Sequence, residues 1–161
     1  MRTPSGRSRD GARGGAILPA VRSATLADAE ALATLAGEAG RPTTAATVVE
    51  RLQRLMQLPS VAVLVAADAQ GAVVGWLHVA GVHSVDFPPQ AEVLGLGVEP
   101  SLRGRRIGSA MLGVAEQWAR RHGYLDLVVR SSAALPRVLH FYERRGYVRW
   151  RELQVLRKPL V

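Results

Sequence analysis

The chain has 161 residues, 48% of them hydrophobic and 21% charged, with a formal net charge of +8 and no cysteine. That excludes a disulfide framework and a thiolate nucleophile, and the four histidines lack metal-ligand spacing, so no metal site is expected. The longest apolar run, Val61 to Ala67, falls far short of the roughly 20 residues a membrane span needs, which points to a soluble protein suited to a reducing cytoplasm.

The first segment is a tail. Arg2, Arg7, Arg9 and Arg13 against Asp10 give it a net +3 among glycines and serines with no hydrophobic period. Residues 1–16 are therefore expected to be a disordered basic tail and residues 17–161 one domain. Ala20 to Ala24 reads as a short strand. Thr25 followed by Asp28 is a capping-box pattern opening a helix through Ala29, Leu32 and Leu35. Pro42 to Thr44 introduces a second helix with Val48, Leu52, Leu55 and Met56 on one face, and Pro59 forbids its continuation. The β-rich runs VAVLVAA and AVVGWLHVAGV, joined by Asp68-Ala69-Gln70-Gly71, predict a hairpin. Glu92 to Val98 is the next strand. A helix from about Arg106 to Arg121 follows, with Ile107, Met111, Val114, Ala115 and Trp118 apolar. A strand at 125–130, a helix at about 134–145 ended by Gly146, and a last strand at 147–156 complete the order.

Two glycine clusters lie in LGLGVEPSLRGRRIGSAML, residues 94–112. GLGVEP is no dinucleotide fingerprint, because Pro100 occupies the third glycine position and the strand does not lead directly into a helix. Two glycines within a strand mark a bulge or a close backbone approach instead. RGRRIG stands where a strand meets a helix. Backbone N–H groups and the macrodipole at a helix N-terminus attract an anion, and Arg103, Arg105 and Arg106 add charge. A nucleoside-triphosphate P-loop is excluded, since the Gly-Lys-Ser/Thr ending is missing.

VEPSLRGRRIGSAML resembles the acetyl-coenzyme A signature of the Gcn5-related N-acetyltransferases, with Arg103 and Gly108 at its ends and Arg106 at its middle glycine position. Arg106 is expected to fit there by keeping an ordinary helical φ. HFYERRGY is similar to a second segment of that family, which places Tyr142 at the position credited as general acid. The resemblance implies an α/β (α+β) domain with a mixed, mostly antiparallel twisted sheet of six to seven strands, splayed at the acetyl-coenzyme A strand and flanked by about four helices. It implies acetyl transfer from acetyl-coenzyme A to an amine of a small molecule or peptide by direct attack in a ternary complex.

The pyrophosphate would sit on the amides of Arg103, Gly104, Arg105, Arg106, Ile107, Gly108 and Ser109, and the pantetheine arm would run beside Leu96, Gly97 and Val98. A backbone N–H beside the bulge would face the developing oxyanion, and Tyr142 would protonate the leaving thiolate. Glu92 resembles the family's glutamate base, with His78 and His83 as rivals. Those two histidines have opposite parity, so only one of them faces the site on a regular strand. Ser131 and Ser132 stand where relatives carry an asparagine that bonds the cofactor. The acceptor pocket would be built by residues 39–47 and 82–90. The implied partners are acetyl-coenzyme A and the acceptor, with no membrane and no nucleic acid, and a homodimer is left open.

Two other readings compete. Arg120, Arg121, Arg137, Arg144, Arg145, Arg149 and Arg151 with Trp150 suit a non-catalytic nucleic-acid module, although no DNA- or RNA-binding motif accompanies them. A degenerate acetyl-coenzyme A sensor would bind cofactor without turnover.

Overall fold

A computed structural model describes residues 19–131 and 135–160. Five strands and four helices appear in the order β1 (Ala20–Ser23), α1 (Ala29–Glu38), α2 (Ala45–Leu55), β2 (Val61–Ala67), β3 (Val73–Val82), β4 (Gln90–Val98), α3 (Ile107–Arg121), β5 (Leu127–Val129) and α4 (Pro136–Glu143). The chain divides into two compact units with the boundary after Val128. The expected tail lies outside the described residues.

In the first unit the strands run in the sheet order β1-β2-β3-β4-β5, with the first four antiparallel. The hairpin between β2 and β3 forms as its turn chemistry requires: Asp68 Oδ1 accepts from the Gln70 and Ala72 amides, both at 2.9 Å. Pairing of Val63 with His78 and Val65 with Trp76 puts these four side chains on one face. That face packs on α1 and α2, through Ala29, Leu32, Val48 and Leu52. The opposite face meets α3, whose buried residues are Ile107, Met111, Leu112, Ala115 and Ala119. Leu112 and Ala119 thus take buried places expected for Val114 and Trp118. Trp118 instead stacks at the helix end on Tyr124, ring centroids 5.8 Å apart.

The entry to α1 shows how few groups set the first helix. A short 3-10 turn, Leu26–Asp28, precedes it. The Asp28 carboxylate accepts from the Thr25 amide at 2.7 Å and from both terminal nitrogens of Arg22 at 2.8 Å. Hydrogen bonding from Arg22 holds the Asp28 carboxyl down at about 2, against the cost of its burial. A carboxylate with a depressed folded pKa stabilises the fold above its unfolded value of 3.8 and loses that contribution as pH falls toward 2. After allowance for the half-exposed Arg22, Asp28→Ala is expected to cost about 1–2 kcal/mol at pH 7. Urea unfolding of the two proteins should converge near pH 2; a difference that persists there would show that the contribution is not electrostatic.

Among the described residues the expected last strand at 147–156 does not form. Residues 147–160 have no strand assignment, and Val148, Trp150, Leu153, Val155 and Leu156 are exposed. The apolar side chains keep no single phase: Val148, Trp150 and Leu156 share one parity and Leu153 and Val155 the other, so no one face collects them. Among the described residues the sheet has five strands, slightly fewer than the six to seven expected of the same α/β architecture.

Candidate active site

β4 carries the first part of the site. Its residues are buried from Gln90 through Val93, then open from Leu94 onward. Val79 pairs with Val93 and His78 with Gly95, so Leu94 is the extra residue of a bulge. The bulge predicted from the two glycines is present, and so is the close approach. Trp76 pairs with Gly97, and a Cβ at Gly95 or Gly97 would overlap its indole. The glycines let this tryptophan lie flat on the strand. On the other side, the Ala91 amide donates to Asp126 O at 2.9 Å. β5 has only three residues, roughly 10 Å of strand, so the Leu96–Val98 edge extends past its reach.

β4 leads through a 3-10 turn, Pro100–Leu102, to the N-terminus of α3. Arg103, Gly104, Arg105 and Arg106 are exposed there, and Arg103 Nε reaches back to Val98 O at 3.4 Å. The first backbone bond of the helix runs from the Ala110 amide to Arg106 O. Among the described residues the amides of Ile107, Gly108 and Ser109 have no acceptor, as the start of a helix requires. Ser109 Oγ is buried without a partner at the same turn. Free donors and a helix dipole lie at the turn that also carries three exposed arginines. Their chemistry fits a phosphate-bearing ligand.

Arg106 departs from expectation. Its φ is +64°, left-handed, where an ordinary helical value was expected. The turn holds this position in a conformation that glycine adopts without strain, and Gly104 takes a similar φ of +83° two residues earlier. Arg106→Gly should relieve strain and stabilise the fold by about 0.5–1 kcal/mol, less than the full left-handed penalty because glycine also loosens the unfolded chain. Thermal melts would show a rise of about 2 °C; a fall would mean that the Arg106 side chain stabilises the turn.

Glu92 is 4% exposed and pairs with Ala80. That sets it on the α1/α2 face of the sheet, the face of Trp76 and His78. The parity expected of the two histidines does not apply, because His83 lies just beyond the end of β3. His78 shares that face, whereas His83 lies by Tyr124, ring centroids 6.0 Å apart. Burial pushes the His78 imidazole below its ordinary value of 6.5, and its Nε2 is buried with no partner. Trp76 Nε1 is likewise buried and unpartnered. Trp76 was absent from the expected site residues; its alternation with His78 in the run VGWLHV was the available signal.

In the second unit Tyr142 lies on α4 and is 7% exposed, edge-on to Phe141 and Tyr147 at 5.1 and 5.5 Å between ring centroids. Its hydroxyl has no hydrogen-bond partner among the described residues, and burial raises its pKa above the ordinary 10.0, so it is protonated at neutral pH. Ser131 Oγ is buried without a partner. Ser132 lies outside the described residues. One face of the exposed Trp150 is covered by the Arg151 guanidinium, 3.7 Å from the ring centroid.

Known proteins share this architecture. A transcriptional regulator from Bacillus halodurans C-125 superposes with a TM-score of 0.80 at 20% identity, over 87% of this chain and 99% of that one. AAC(6')-Iy, solved with the bisubstrate analogue CoA-S-monomethyl-acetylneamine, gives 0.75 at 17% identity, over 87% and 97%. These identities speak for the fold alone, an α/β acetyltransferase fold. The profile of the Acetyltransferase (GNAT) family matches residues 29–147. The chain belongs to that family. A mycothiol acetyltransferase from Propionibacterium freudenreichii subsp. shermanii is 37% identical over 84 residues, which are 52% of this chain and 27% of the relative. The matched region thus spans about a quarter of that curated protein. Among the described residues no helix is long and apolar enough to cross a membrane, and no cluster of side chains suits a metal ion.

Proposed function

We propose that the chain transfers the acetyl group of acetyl-coenzyme A to a primary amine of a small molecule or peptide, by direct attack within a ternary complex. The observation that carries this reading is the turn from β4 into α3, where the unpaired amides of Ile107, Gly108 and Ser109 lie among Arg103, Arg105 and Arg106. These amides, with those of Gly104 and Arg106, hold the pyrophosphate. The open edge at Leu96, Gly97 and Val98 aligns the pantetheine arm by strand-like hydrogen bonds. Bound there, acetyl-coenzyme A supplies an activated thioester. Glu92 accepts a proton from the amine, and the Tyr142 hydroxyl holds the proton for the departing sulfur. Ser132 is assigned a cofactor contact on sequence grounds alone. An amine acceptor and a coenzyme A donor accord with the names of the relatives, a mycothiol acetyltransferase and AAC(6')-Iy bound to a coenzyme A bisubstrate analogue.

Calorimetry on the full chain tests the binding half, with acetyl-coenzyme A and duplex DNA as titrants at two salt concentrations. Saturable acetyl-coenzyme A binding with negligible DNA affinity supports the reading. Tight, salt-sensitive DNA binding without cofactor binding would replace it with the nucleic-acid module.

A further inference from the structure

An alkylammonium ion that becomes an amide loses two protons. The C–N bond forms and the C–S bond breaks; the sulfur takes up one proton and the other is released to solvent. A single carboxylate holds only one of these protons at a time. The face that carries Glu92 has a second basic group with an unused lone pair.

Building on the acetyltransferase reading, we propose that His78 is a second proton acceptor for the attacking amine and acts beside Glu92. The register sets the geometry. Glu92 lies opposite Ala80 and His78 opposite Gly95, so the two are diagonal neighbours on adjacent strands, with Cβ atoms on the order of 5–8 Å apart. The lone pair of His78 Nε2 is not taken up by Glu92 or by any other described residue. The bulge at Leu94 falls between their strand positions and opens β4 from that point onward. Nε2 of His78 is buried and unpartnered, a rare state for an interior polar nitrogen and one that an amine N–H would satisfy. Presenting Nε2 to a ligand takes a rotation about χ2, a soft torsion.

The surroundings keep this imidazole neutral. Facing it are Val63 from β2, Gly95, Glu92 and Gln90 from β4, and the apolar residues of α1 and α2 that form the adjoining cluster. The charged residues of those helices, Glu30, Glu38, Glu50, Arg51 and Arg54, are exposed, and Asp28 is bound to Arg22. Burial lowers the His78 pKa below 6.5, so the accepting form predominates at neutral pH and is lost as pH falls through that lowered value.

The test is the pH dependence of amine-dependent coenzyme A release by the wild type, His78→Gln and His78→Ala, with acetyl-coenzyme A affinity and thermal melts as checks on folding. His78→Gln should lower kcat about 10- to 100-fold and remove an acid limb lying below pH 6.5, with little change in cofactor affinity. Free imidazole should restore turnover to His78→Ala. Wild-type kcat and an unchanged acid limb in folded His78→Gln would overturn the assignment, as would a loss in His78→Ala that imidazole does not rescue. A wild type that binds acetyl-coenzyme A but releases no thiol with any amine would overturn the transfer reading and this assignment together.

Discussion

Tyr142→Phe is expected to lower turnover on a competent amine about 100-fold while leaving acetyl-coenzyme A affinity nearly unchanged. The substitution removes one oxygen. Tyr142 is buried, and its ring is held edge-on between Phe141 and Tyr147, contacts that phenylalanine keeps. Its hydroxyl bonds to no other described residue, so no internal partner is stranded by the change. Folding and cofactor binding should therefore survive, and the loss should fall on kcat. The raised pKa keeps the proton on oxygen at neutral pH, where a thiolate leaving group needs it. Steady-state kinetics separate the cases: equal losses in kcat and kcat/KM fit a proton donor, while wild-type turnover would reduce Tyr142 to a packing residue.

Gly108→Val should weaken acetyl-coenzyme A binding about 10- to 100-fold. Gly108 supplies the middle one of three unpaired amides at the start of α3. A β-branched side chain there crowds the approach of a phosphate to those donors, and one or two charge-assisted hydrogen bonds at roughly 1.5–3 kcal/mol each are at stake. The helix itself is held from the far side by Ile107, Met111, Leu112 and Ala115, none of which is touched. Valine costs a helix only a few tenths of a kcal/mol more than most residues. Unchanged affinity in a folded Gly108→Val protein would move the anion site away from this turn.

Much of this was legible before any coordinates. Thr25 with Asp28, Thr44 before α2, and the Asp68–Gly71 turn are local signals, and each marks the boundary it should. The face that His78 shares with Trp76 was legible for the same reason, because a period of two is a local property. What failed depends on longer range or on backbone state. The run from Tyr147 to Leu156 has the composition of a strand, but its apolar residues keep no single phase, and composition does not register phase. Arg106 stands at a glycine position of the signature and is expected to fit there with an ordinary helical φ; the turn after Gly104 holds it left-handed instead. Gly95 and Gly97 signal a bulge or a close backbone approach, and both occur; the group that approaches is Trp76. The indole comes from the neighbouring strand, a contact that the sequence around the glycines does not reveal.

The most direct test of acetyl transfer is the release of free coenzyme A thiol from acetyl-coenzyme A by the full chain, measured across a panel of primary amines with an amine-free control. Amine-dependent release that saturates with at least one acceptor, accompanied by one acetylated amine per thiol released, is the predicted result. Saturable acetyl-coenzyme A binding without release above the control for every amine would contradict it and leave a cofactor sensor in its place.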